Sequence, residues 1–498
     1  MPNNKNQIQD KKFAAESIHE FKGPKFKVDP AYEYNDVDLE QQYSDIKSRK
    51  EISLATYFSK RIQINLPFVS APMDTVTGSA MAIALARKGA IGVLPRFSII
   101  DQQVQEVVRV KRSGHFIIEN PVVMTPEHTV ADARKVIDEY GVGGIVIVDD
   151  IENKKAVGIV TTRDMMYELD GSILKDVMNH HDLVTAPVGT TMEQAKKILH
   201  DNRIEKLPLI DDKGHLVGLI TQKDIENAED FPLAARDKRG RPRVAAAVGI
   251  RDEDFVKRAE KLINAGADAL VVDIAHGGLK KCIDATKYLS ESFPDIDIIS
   301  GNVMTAELTR KLIEAGAAGV RVGIAPGYAC RTRGMTGVGG GQMTTVYECA
   351  QAAKEYGIPV MADGGIRELG DLGKALATGA STIMMGAMFA GTEETPGKTI
   401  VGMNGLSYKL YRGMASLGAN LTLQESEGKD PLAKGAPQIT PEGDHLMIPA
   451  KGEVGDLLDQ MAGALRSTMS YIGARTIDEM DEKAVFRVRA TGGTIQIQ

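Results

Sequence analysis

The sequence predicts an α/β fold, a TIM (β/α)8 barrel that is interrupted by one inserted domain. Eight short apolar runs are spread along the chain, and most of them are followed by a helical pattern. The runs are almost continuously apolar, which is typical of parallel strands buried on both faces. Polar residues and glycines recur where the runs stop, as expected at the catalytic face of such a barrel. A doubly wound open sheet is the competing fold, but nothing resembling GxGxxG follows the first strand.

The composition and charge describe a globular chain of more than one domain. The 498 residues are 43% hydrophobic and 26% charged, with a net charge of −7 and a pI of about 5.8. This acidic balance argues against a general nucleic-acid binder, so no nucleic-acid partner is expected. The three cysteines are scattered without a CxxC, which argues against a disulfide scaffold or a zinc site and favours a cytoplasmic location. The polar N-terminus and the lack of an 18-residue apolar run predict neither secretion nor membrane insertion.

The first βα unit lies before residue 100. A polar arm, residues 1–30, precedes it, and the first strand is predicted over 66–71 (LPFVSA). A helix is predicted over 79–88, because its apolar residues are spaced for one face and Gly89 follows as a C-cap. The second strand is predicted over 90–94.

An internal repeat then interrupts this rhythm, from about residue 120 to about residue 228. Each copy contains a short apolar segment, a helix and two strands. The copies end in GIVTTRD at 158–164 and GLITQKD at 218–224, which lie 60 positions apart. Repeats of this length are supersecondary units that pair to bury a shared core.

The βα rhythm returns after residue 230 and supplies the other six strands. They are predicted at 244–248, 269–273, 296–300, 319–322, 358–362 and 382–385. Helices between them are predicted at 252–265, 306–315 and 347–356, each ending at a glycine.

The C-terminal ends of these strands form the predicted active site. The polar and glycine residues at those ends are Ser70, Asp74, Asp273, His276, Asn302, Cys330, Asp363, Gly364, Gly365 and Gly386. The glycine-rich ends of the seventh and eighth strands favour a phosphate site built from backbone N–H groups. Asp363 is suited to accept hydrogen bonds from the two hydroxyls of a ribose. A simple turn is the alternative for any one of these glycines.

The stretch 319–342 (GVRVGIAPGYACRTRGMTGVGGGQ) carries the candidate nucleophile. A strand leads through a Pro-Gly break to Cys330, and the loop after it is too rich in glycine to predict regular structure. The thiolate is the reactive form of cysteine, and the neighbouring Arg331 and Arg333 would favour it. The alternative is an inert, buried structural cysteine.

Two resemblances follow from these motifs. The repeat endings G-[IL]-[VI]-T-x-[RK]-D resemble a tandem pair of CBS motifs, a Bateman module, and such modules often bind adenine or guanine nucleotides. The segments SAPMDTVTGSAMAIALARKGAIGVL, VVDIAHGG, GNVMTAE, ADGGIR, MMGAMFAGTEETPG and YRGMASLGA, together with 319–342, resemble the inosine monophosphate dehydrogenase and guanosine monophosphate reductase family. The second resemblance covers nearly the whole chain.

The family resemblance implies a covalent mechanism on a purine nucleotide. Cys330 would attack C2 of the purine, hydride would pass between C2 and a nicotinamide, and Thr332 and Glu442 would complete the catalytic set. The positions assigned to the nucleotide, besides Glu442, are Ser70, Met73, Gly327, Tyr328, Asp363, Gly364, Gly365, Gly386, Tyr411, Gly413 and Met414. Those assigned to the dinucleotide NAD are Asp273, His276, Asn302, Arg321 and Gly323. The backbone carbonyls of Gly323, Ala325 and Cys330 match a loop that binds a monovalent cation, K+.

The chain departs from the dehydrogenase pattern on the flap before Glu442. Dehydrogenases carry an Arg-Tyr pair there, but no arginine occurs between Arg412 and Arg466, and Asp430-Pro431 lies near that position. The remaining candidates for the base that activates water are Lys429, Lys434 and Thr332 acting with Glu442. Ala325 also replaces a glycine, and Tyr328 replaces a serine.

The prediction is therefore NAD-dependent oxidation of inosine monophosphate to xanthosine monophosphate. Reduction of guanosine monophosphate with NADPH is the first alternative, favoured by the missing arginine and by LRSTMSYIGA at 465–474. The insert and the flap-length segment 419–440 favour the dehydrogenase. A non-catalytic nucleotide sensor is the second alternative. The predicted domains are 1–118 and 231–498 for the barrel and 119–230 for the CBS pair, and the family implies a homotetramer.

Overall fold

The computed structural model describes residues 27, 29–113, 118, 121–179, 183–250, 254–426 and 441–489. Its first elements lie outside the barrel. β1 (Val37–Leu39) pairs antiparallel with Phe486–Val488 near the other end of the chain. β2 (Thr56–Ser59) and β3 (Ile62–Ile64) form a hairpin. The hairpin covers the N-terminal end of the barrel, where Lys60 N donates to Ala318 O (2.8 Å).

The first two barrel strands follow the hairpin, each with its helix. Their bounds are β4 (Phe68–Ser70), α1 (Ser79–Lys88), β5 (Ile91–Leu94) and α2 (Ile100–Arg112). α1 spans the residues that the sequence predicts. It ends at Gly89, which has a left-handed φ of 94° and whose N–H donates to the last helical carbonyls.

The inserted segment folds as two copies of one unit. The first copy contains β6 (Val123–Met124), α3 (Val130–Tyr140), β7 (Gly144–Val148), β8 (Ala156–Thr161) and α4 (Leu174–Val177). The second contains β9 (Ala186–Pro187), α5 (Met192–Asn202), β10 (Lys206–Ile210), β11 (Leu216–Thr221) and α6 (Gln222–Asp230). Each copy forms one three-stranded sheet, and a threonine capping box (Thr129 or Thr191) begins each long helix.

The remaining barrel elements alternate between strand and helix, except that two helices lie between the fourth and fifth of these strands. The strands are β12 (Ala245–Val248), β13 (Ala269–Asp273), β14 (Asp297–Val303), β15 (Gly319–Val322), β16 (Val360–Asp363) and β17 (Thr382–Met385). The helices are α7 (Asp254–Asn264), α8 (Lys280–Ser292), α9 (Ala306–Glu314), α10 (Thr332–Thr336), α11 (Gln342–Lys354) and α12 (Leu369–Ala377).

The eight parallel strands close in the order β12-β13-β14-β15-β16-β17-β4-β5, and this confirms the predicted barrel. Successive residues of a strand point to opposite faces, so the strands build two cores. Val69, Val271, Ile299, Met361 and Met384 belong to the cluster inside the barrel. Their chain neighbours, such as Phe68 and Val272, pack against the helices. The barrel is thus filled with side chains, and its catalytic face lies at the C-terminal strand ends.

The last segment adds a second small sheet beside the catalytic face and three helices. Its elements are β18 (Ile400–Val401), β19 (Ser407–Arg412), α13 (Leu417–Ser426), β20 (His445–Pro449), α14 (Val454–Ile472), α15 (Met480–Lys483) and β21 (Phe486–Val488). β19 pairs with both β18 and β20. Among the described residues, the helices are too short or too polar to cross a bilayer.

Two local predictions differ from the structure. The loop after Cys330 was predicted to lack regular structure, but α10 forms over Thr332–Thr336, before the glycine run begins. α11 starts at Gln342 rather than at 347, because Gly341 leaves the loop in an extended conformation and the helix begins directly after it.

Candidate active site

A cavity of about 990 Å³ opens at the C-terminal face of the barrel. Residues from β13 to β17, the loop after β15 and the segment around β19 and β20 line it. Of the residues predicted for the site, it brings together Met73, Asp273, His276, Asn302, Arg321, Gly323, Ala325, Gly327, Tyr328, Cys330, Thr332, Asp363, Gly364, Gly365, Gly386, Tyr411, Gly413, Met414 and Glu442. Ser70 and Asp74 are the exceptions. Ser70 is buried and its hydroxyl accepts a hydrogen bond from Thr77 Oγ1 (2.8 Å), and Asp74 pairs with Arg412.

Three predicted catalytic side chains form one hydrogen-bonded chain. Cys330 Sγ donates to Thr332 Oγ1 (3.3 Å), and Thr332 Oγ1 donates to Glu442 Oε2 (2.7 Å). Cys330 is exposed to the cavity, whereas the other two cysteines are buried. A proton can therefore move between the thiol and the carboxylate through one hydroxyl.

Backbone pairing holds this chain together over more than 100 residues of sequence. Arg331 N donates to Glu442 O (2.7 Å), Asp444 N donates to Ala329 O (3.0 Å), and Cys330 and Gly443 form an isolated antiparallel bridge. The loop after β15, which we call the catalytic loop (residues 323–341), is thereby joined to the residues that precede β20.

The two arginines of the catalytic loop do not act as free cations beside the thiol. Arg331 Nε pairs with Asp444 Oδ2 (2.5 Å), and Arg333 Nη2 pairs with Glu33 Oε1 (2.8 Å). The sequence predicts that both positive charges act on Cys330. In the structure, Asp444 and Glu33, which folding brings to the loop, compensate these charges. Their contribution is to anchor the loop.

A buried arginine connects a residue predicted for the nucleotide, Asp363, with one predicted for the dinucleotide, Asp273. Arg321 donates to Asp273 Oδ1 and to Asp363 Oδ2, both at 2.8 Å, and only 6% of its surface is exposed. Asn302 Nδ2 donates to Asp363 Oδ2 and to Gly323 O, also at 2.8 Å. Burial alone would lower the pKa of Arg321, but the charges of Asp363 and Asp273 outweigh it and raise the pKa, so this guanidinium stays charged.

Gly386 sits where only a hydrogen fits. A Cβ added there would lie 2.7 Å from Met73 Sδ and 2.9 Å from Tyr411 Oη. Burial raises the pKa of the Tyr411 phenol, so it remains protonated and is a hydrogen-bond donor at neutral pH. Gly364 and Gly365 line the cavity and have φ values of 85° and 84°, a left-handed conformation that glycine adopts at low cost.

The start of the catalytic loop has an unusual backbone. Gly323 has a φ of 143° and Ala325 a φ of 69°. A non-glycine residue in the left-handed region is strained, so Ala325 occupies a position whose geometry suits glycine.

Four further residues contribute to the site without a signal in the sequence. Arg96 donates from Nε to Asp273 O (3.2 Å), while Gln342, Asp444 and Glu33 hold the catalytic loop. Arg96 lies two residues after the second predicted strand, whereas Gln342, Asp444 and Glu33 lie at no predicted strand end and take their role from their spatial partners. The candidate bases Lys429 and Lys434, with Asp430-Pro431, lie outside the described residues.

Comparison with known proteins gives a consistent result. Residues 31–496 match the IMP dehydrogenase / GMP reductase domain. The chain is 46% identical over 466 residues to an inosine-5'-monophosphate dehydrogenase of Nitrosopumilus maritimus, covering 93% of this chain and 97% of that one. It is 45% identical over 470 residues to the enzyme of the same name in Aquifex aeolicus, covering 93% and 94%.

Solved structures include a cysteine-to-alanine variant of GMP reductase from Trypanosoma brucei in complex with guanosine 5'-monophosphate. It superposes with a TM-score of 0.88 at 36% identity, covering 94% of this chain and 97% of that one. The same reductase in complex with guanosine 5'-triphosphate gives a TM-score of 0.79 at 33% identity, covering 93% and 98%. With a family match over nearly its whole length and relatives at 45% identity, the chain belongs to the IMP dehydrogenase / GMP reductase family.

Proposed function

We propose that the protein oxidises inosine 5'-monophosphate to xanthosine 5'-monophosphate with NAD. The observation that carries this proposal is the hydrogen-bonded chain Cys330–Thr332–Glu442 in a cavity that also contains Asp363 and Asp273. The names of the curated relatives, all at 44–46% identity in the examples compared, support the dehydrogenase direction.

The proposed nucleotide half of the site is formed by β16, β17 and β19. The Asp363 carboxylate accepts from the ribose hydroxyls, since Arg321 and Asn302 occupy only one of its two oxygens. Backbone N–H groups at the glycine-rich ends bind the phosphate. The residues proposed for the phosphate and the base are Met73, Gly327, Tyr328, Gly364, Gly365, Gly386, Tyr411, Gly413 and Met414.

The proposed reaction has two steps at C2 of the purine. The Cys330 thiol gives its proton to Thr332 and Glu442, and its sulfur forms a bond to C2 as a hydride leaves C2 with its electron pair. Glu442 then releases this proton to solvent. Water attacks C2 and loses a proton to the Thr332–Glu442 pair, and the C2–S bond breaks, returning its electron pair to Cys330. This relay replaces the flap arginine as the means of activating water.

The proposed dinucleotide half lies beside β13, β14 and β15. NAD bound there would supply the hydride acceptor. The described residues fit a polar ligand, because Asn302 Oδ1 and Arg321 Nε are buried and have no partner among them. Asp273, His276 and Gly323 complete this half.

A monovalent cation, K+, is proposed at the start of the catalytic loop. The ligands would be the backbone carbonyls of Gly323, Ala325 and Cys330, a donor type that K+ accepts. The left-handed φ of Ala325 supports this, since it turns successive carbonyls differently from a regular strand.

GMP reductase activity is the second candidate, and a specific observation favours it. The chain lacks an arginine between Arg412 and Arg466, and a Thr–Glu pair alone suffices to assist loss of ammonia. The solved neighbours described above are also reductases, although at lower identity than the dehydrogenases.

The insert, residues 119–230, is proposed as a CBS pair that binds an adenine or guanine nucleotide, and the barrel as 1–118 with 231–498. The matched T–x–[RK]–D endings in the two units support this. A homotetramer is also proposed, supported by exposed apolar residues on the β18–β20 sheet such as Val401, Met403 and Met447. The three unpaired cysteines support a cytoplasmic location.

One assay distinguishes the two activities. Purified protein is supplied with inosine monophosphate plus NAD, or with guanosine monophosphate plus NADPH, and nicotinamide absorbance is followed. We expect absorbance to rise in the first mixture only. A fall in the second mixture, with no change in the first, would assign the protein as a reductase.

A further inference from the structure

The segment 29–36, which we call the N-terminal strap, lies along the end of the catalytic loop. Tyr32 O accepts from Met343 N (3.0 Å) and from Thr344 N (3.3 Å), and Tyr32 N donates to Thr344 Oγ1 (2.8 Å). The strap continues into β1, whose pairing with β21 fixes its position. The end of the loop is therefore held by residues more than 300 positions away in sequence.

Glu33 of the strap makes two charge-assisted contacts with this region. Its Oε1 accepts from Arg333 Nη2 (2.8 Å), and its Oε2 accepts from the backbone N–H of Gln342 (2.9 Å). Asp36 Oδ2 accepts from Glu33 N (2.8 Å), which orients the strap at this residue. One carboxylate thus binds both a loop side chain and the first residue of α11.

Gln342 in turn closes the base of the catalytic loop. Its side chain is buried, and Nε2 donates to Val322 O (3.1 Å) and to Asp363 O (3.2 Å). Val322 is the last residue before the loop and Gln342 the first after it. Through Gln342, the strap reaches both ends of the loop and the backbone of the proposed ribose-binding residue.

The loop itself has little packing that could hold it. α10 has no buried residue, and Met335 and Val338 are about half exposed. Polar anchors therefore set its conformation: Thr332 to Glu442, Arg331 to Asp444 and Arg333 to Glu33. Of these, the Glu33 contact is made by the residue furthest along the loop, Arg333.

We propose that Glu33 is a positioning residue of the reaction, which keeps the catalytic loop in the conformation that presents Cys330 to the nucleotide. This inference rests on the proposed role of Cys330. Glu33 does not line the cavity, so it acts through the loop rather than on a ligand. Its loss increases the number of loop conformations, so a smaller fraction of bound enzyme is competent and kcat falls, while nucleotide binding is unchanged.

The test compares Glu33→Ala with Glu348→Ala, both in the full-length protein. Glu348 is a matched control, because its ion pair with Lys27 (2.9 Å) joins the same N-terminal region to α11 without contacting the loop. For Glu33→Ala we expect kcat to fall about five- to tenfold, with the nucleotide Kd within about twofold of wild type. Hydrogen exchange of the peptide 328–338 is expected to become faster. Glu348→Ala should change none of these.

A double variant separates positioning from a general loss of stability. Arg333→Gln removes the contact with Glu33 and also the bond from Nη2 to Gly340 O (2.6 Å). Because the Glu33 contact is shared, the double variant should lower kcat by less than the product of the two single effects. Arg333 is half exposed, so the Arg333→Gln single variant should fold even if Glu33→Ala does not. Unchanged exchange of 328–338 or an unchanged kcat in Glu33→Ala would overturn the proposal. The exchange measurement is independent of turnover, so it remains informative if the proposed reaction is wrong.

Discussion

The three cysteines differ in exposure, and this difference isolates Cys330 chemically. Cys282 and Cys349 are buried, and burial raises the pKa of both thiols, that of Cys349 to about 11. Cys330 is exposed in the cavity and bonded to Thr332. Because the thiolate is the reactive species, a soluble alkylating reagent should modify Cys330 first.

Cys330→Ser is therefore expected to abolish turnover in either direction. A hydroxyl is a much weaker nucleophile than a thiol, whereas the nucleotide contacts at Asp363 and the glycine-rich ends remain. We expect less than a few per cent of wild-type kcat with unchanged nucleotide affinity, measured by calorimetry. When the folded Cys330→Ser variant is treated with iodoacetamide, the rapidly labelled cysteine of the wild-type protein should be absent. Substantial turnover in this variant would exclude covalent catalysis at Cys330.

Glu442 is the acceptor at the end of the hydrogen-bonded chain, so its charge should matter most when water is activated. A carboxylate can accept a proton through Thr332, whereas an amide cannot. In a dehydrogenase, Glu442→Gln should slow hydrolysis more than hydride transfer. Rapid mixing with inosine monophosphate and NAD should give a burst of NADH, and mass spectrometry should detect a nucleotide adduct on Cys330.

Asp444→Asn is the control for this variant. It removes a carboxylate that binds Arg331 and leaves the Thr332–Glu442 bond intact, so it should weaken both steps alike without a burst. In a reductase, Glu442→Gln should instead block ammonia release from guanosine monophosphate. An unchanged steady-state rate in both assays would contradict the relay and leave Lys429 or Lys434 as the base.

At the level of elements, the strands could be predicted well, and the contacts between distant elements could not. β13, β15 and β17 have the predicted bounds, because their apolar runs end at polar or glycine residues. α10 was missed, since glycine content outweighed the four helix-compatible residues before Gly337.

The candidate site divides in the same way. Residues at strand ends, such as Asp363 and Asp273, were found because the fold places every strand end at one face. Glu33, Asp444 and Gln342 act through partners far away in sequence, and no local pattern encodes such pairs. The prediction that Arg331 and Arg333 favour the Cys330 thiolate is an example. No sequence pattern indicates that carboxylates far away in the chain pair with these two arginines.

A buried ion cluster joins α2 to the segment that returns from the insert. Lys111 Nζ, only 4% exposed, donates to Asp268 Oδ2 (2.6 Å), Asp237 Oδ2 (3.1 Å) and Pro242 O (3.0 Å). Lys111→Met leaves the buried Asp268 carboxylate with a weaker partner, Arg243 at 3.6 Å. Breaking such a pair costs about 3 kcal/mol, so the melting temperature should fall by about 5 °C.

The control for this prediction is Lys88→Met, which removes an exposed ion pair to Asp459 (2.7 Å) on the same side of the barrel. Exposed pairs contribute about 0–1 kcal/mol, so its melting temperature should change by no more than about 1 °C. Equal shifts in the two variants, measured by differential scanning fluorimetry, would contradict a structural role for the buried cluster.

At the scale of the whole molecule, the described barrel and insert bury separate cores. The clusters inside and around the barrel contain no residue between 118 and 230. Those of the insert contain only residues within that range. The two ends of the insert also meet, because Ser113 and Phe231 line one small cleft with Ala86 and Arg87 of α1. The Lys111 cluster lies on the barrel side of this junction.

Deletion of residues 118–230 is therefore expected to leave a folded, active barrel. Residues 114–117 would join Ser113 to Phe231, and four residues can span about 13 Å, enough for ends that line one cleft. The catalytic chain, the strap and the Lys111 cluster all lie outside the deleted range, so kcat should stay within about threefold of wild type. Binding of adenine or guanine nucleotides at the insert should be lost, which calorimetry in the presence of saturating substrate can measure.

If the truncated chain is insoluble, or soluble but inactive, the boundary is wrong, and the insert supports the barrel through contacts that separate cores do not predict. A variant that combines the deletion with Lys111→Met should have a lower melting temperature than either single variant. Once the insert is deleted, the junction depends on the Lys111 cluster alone.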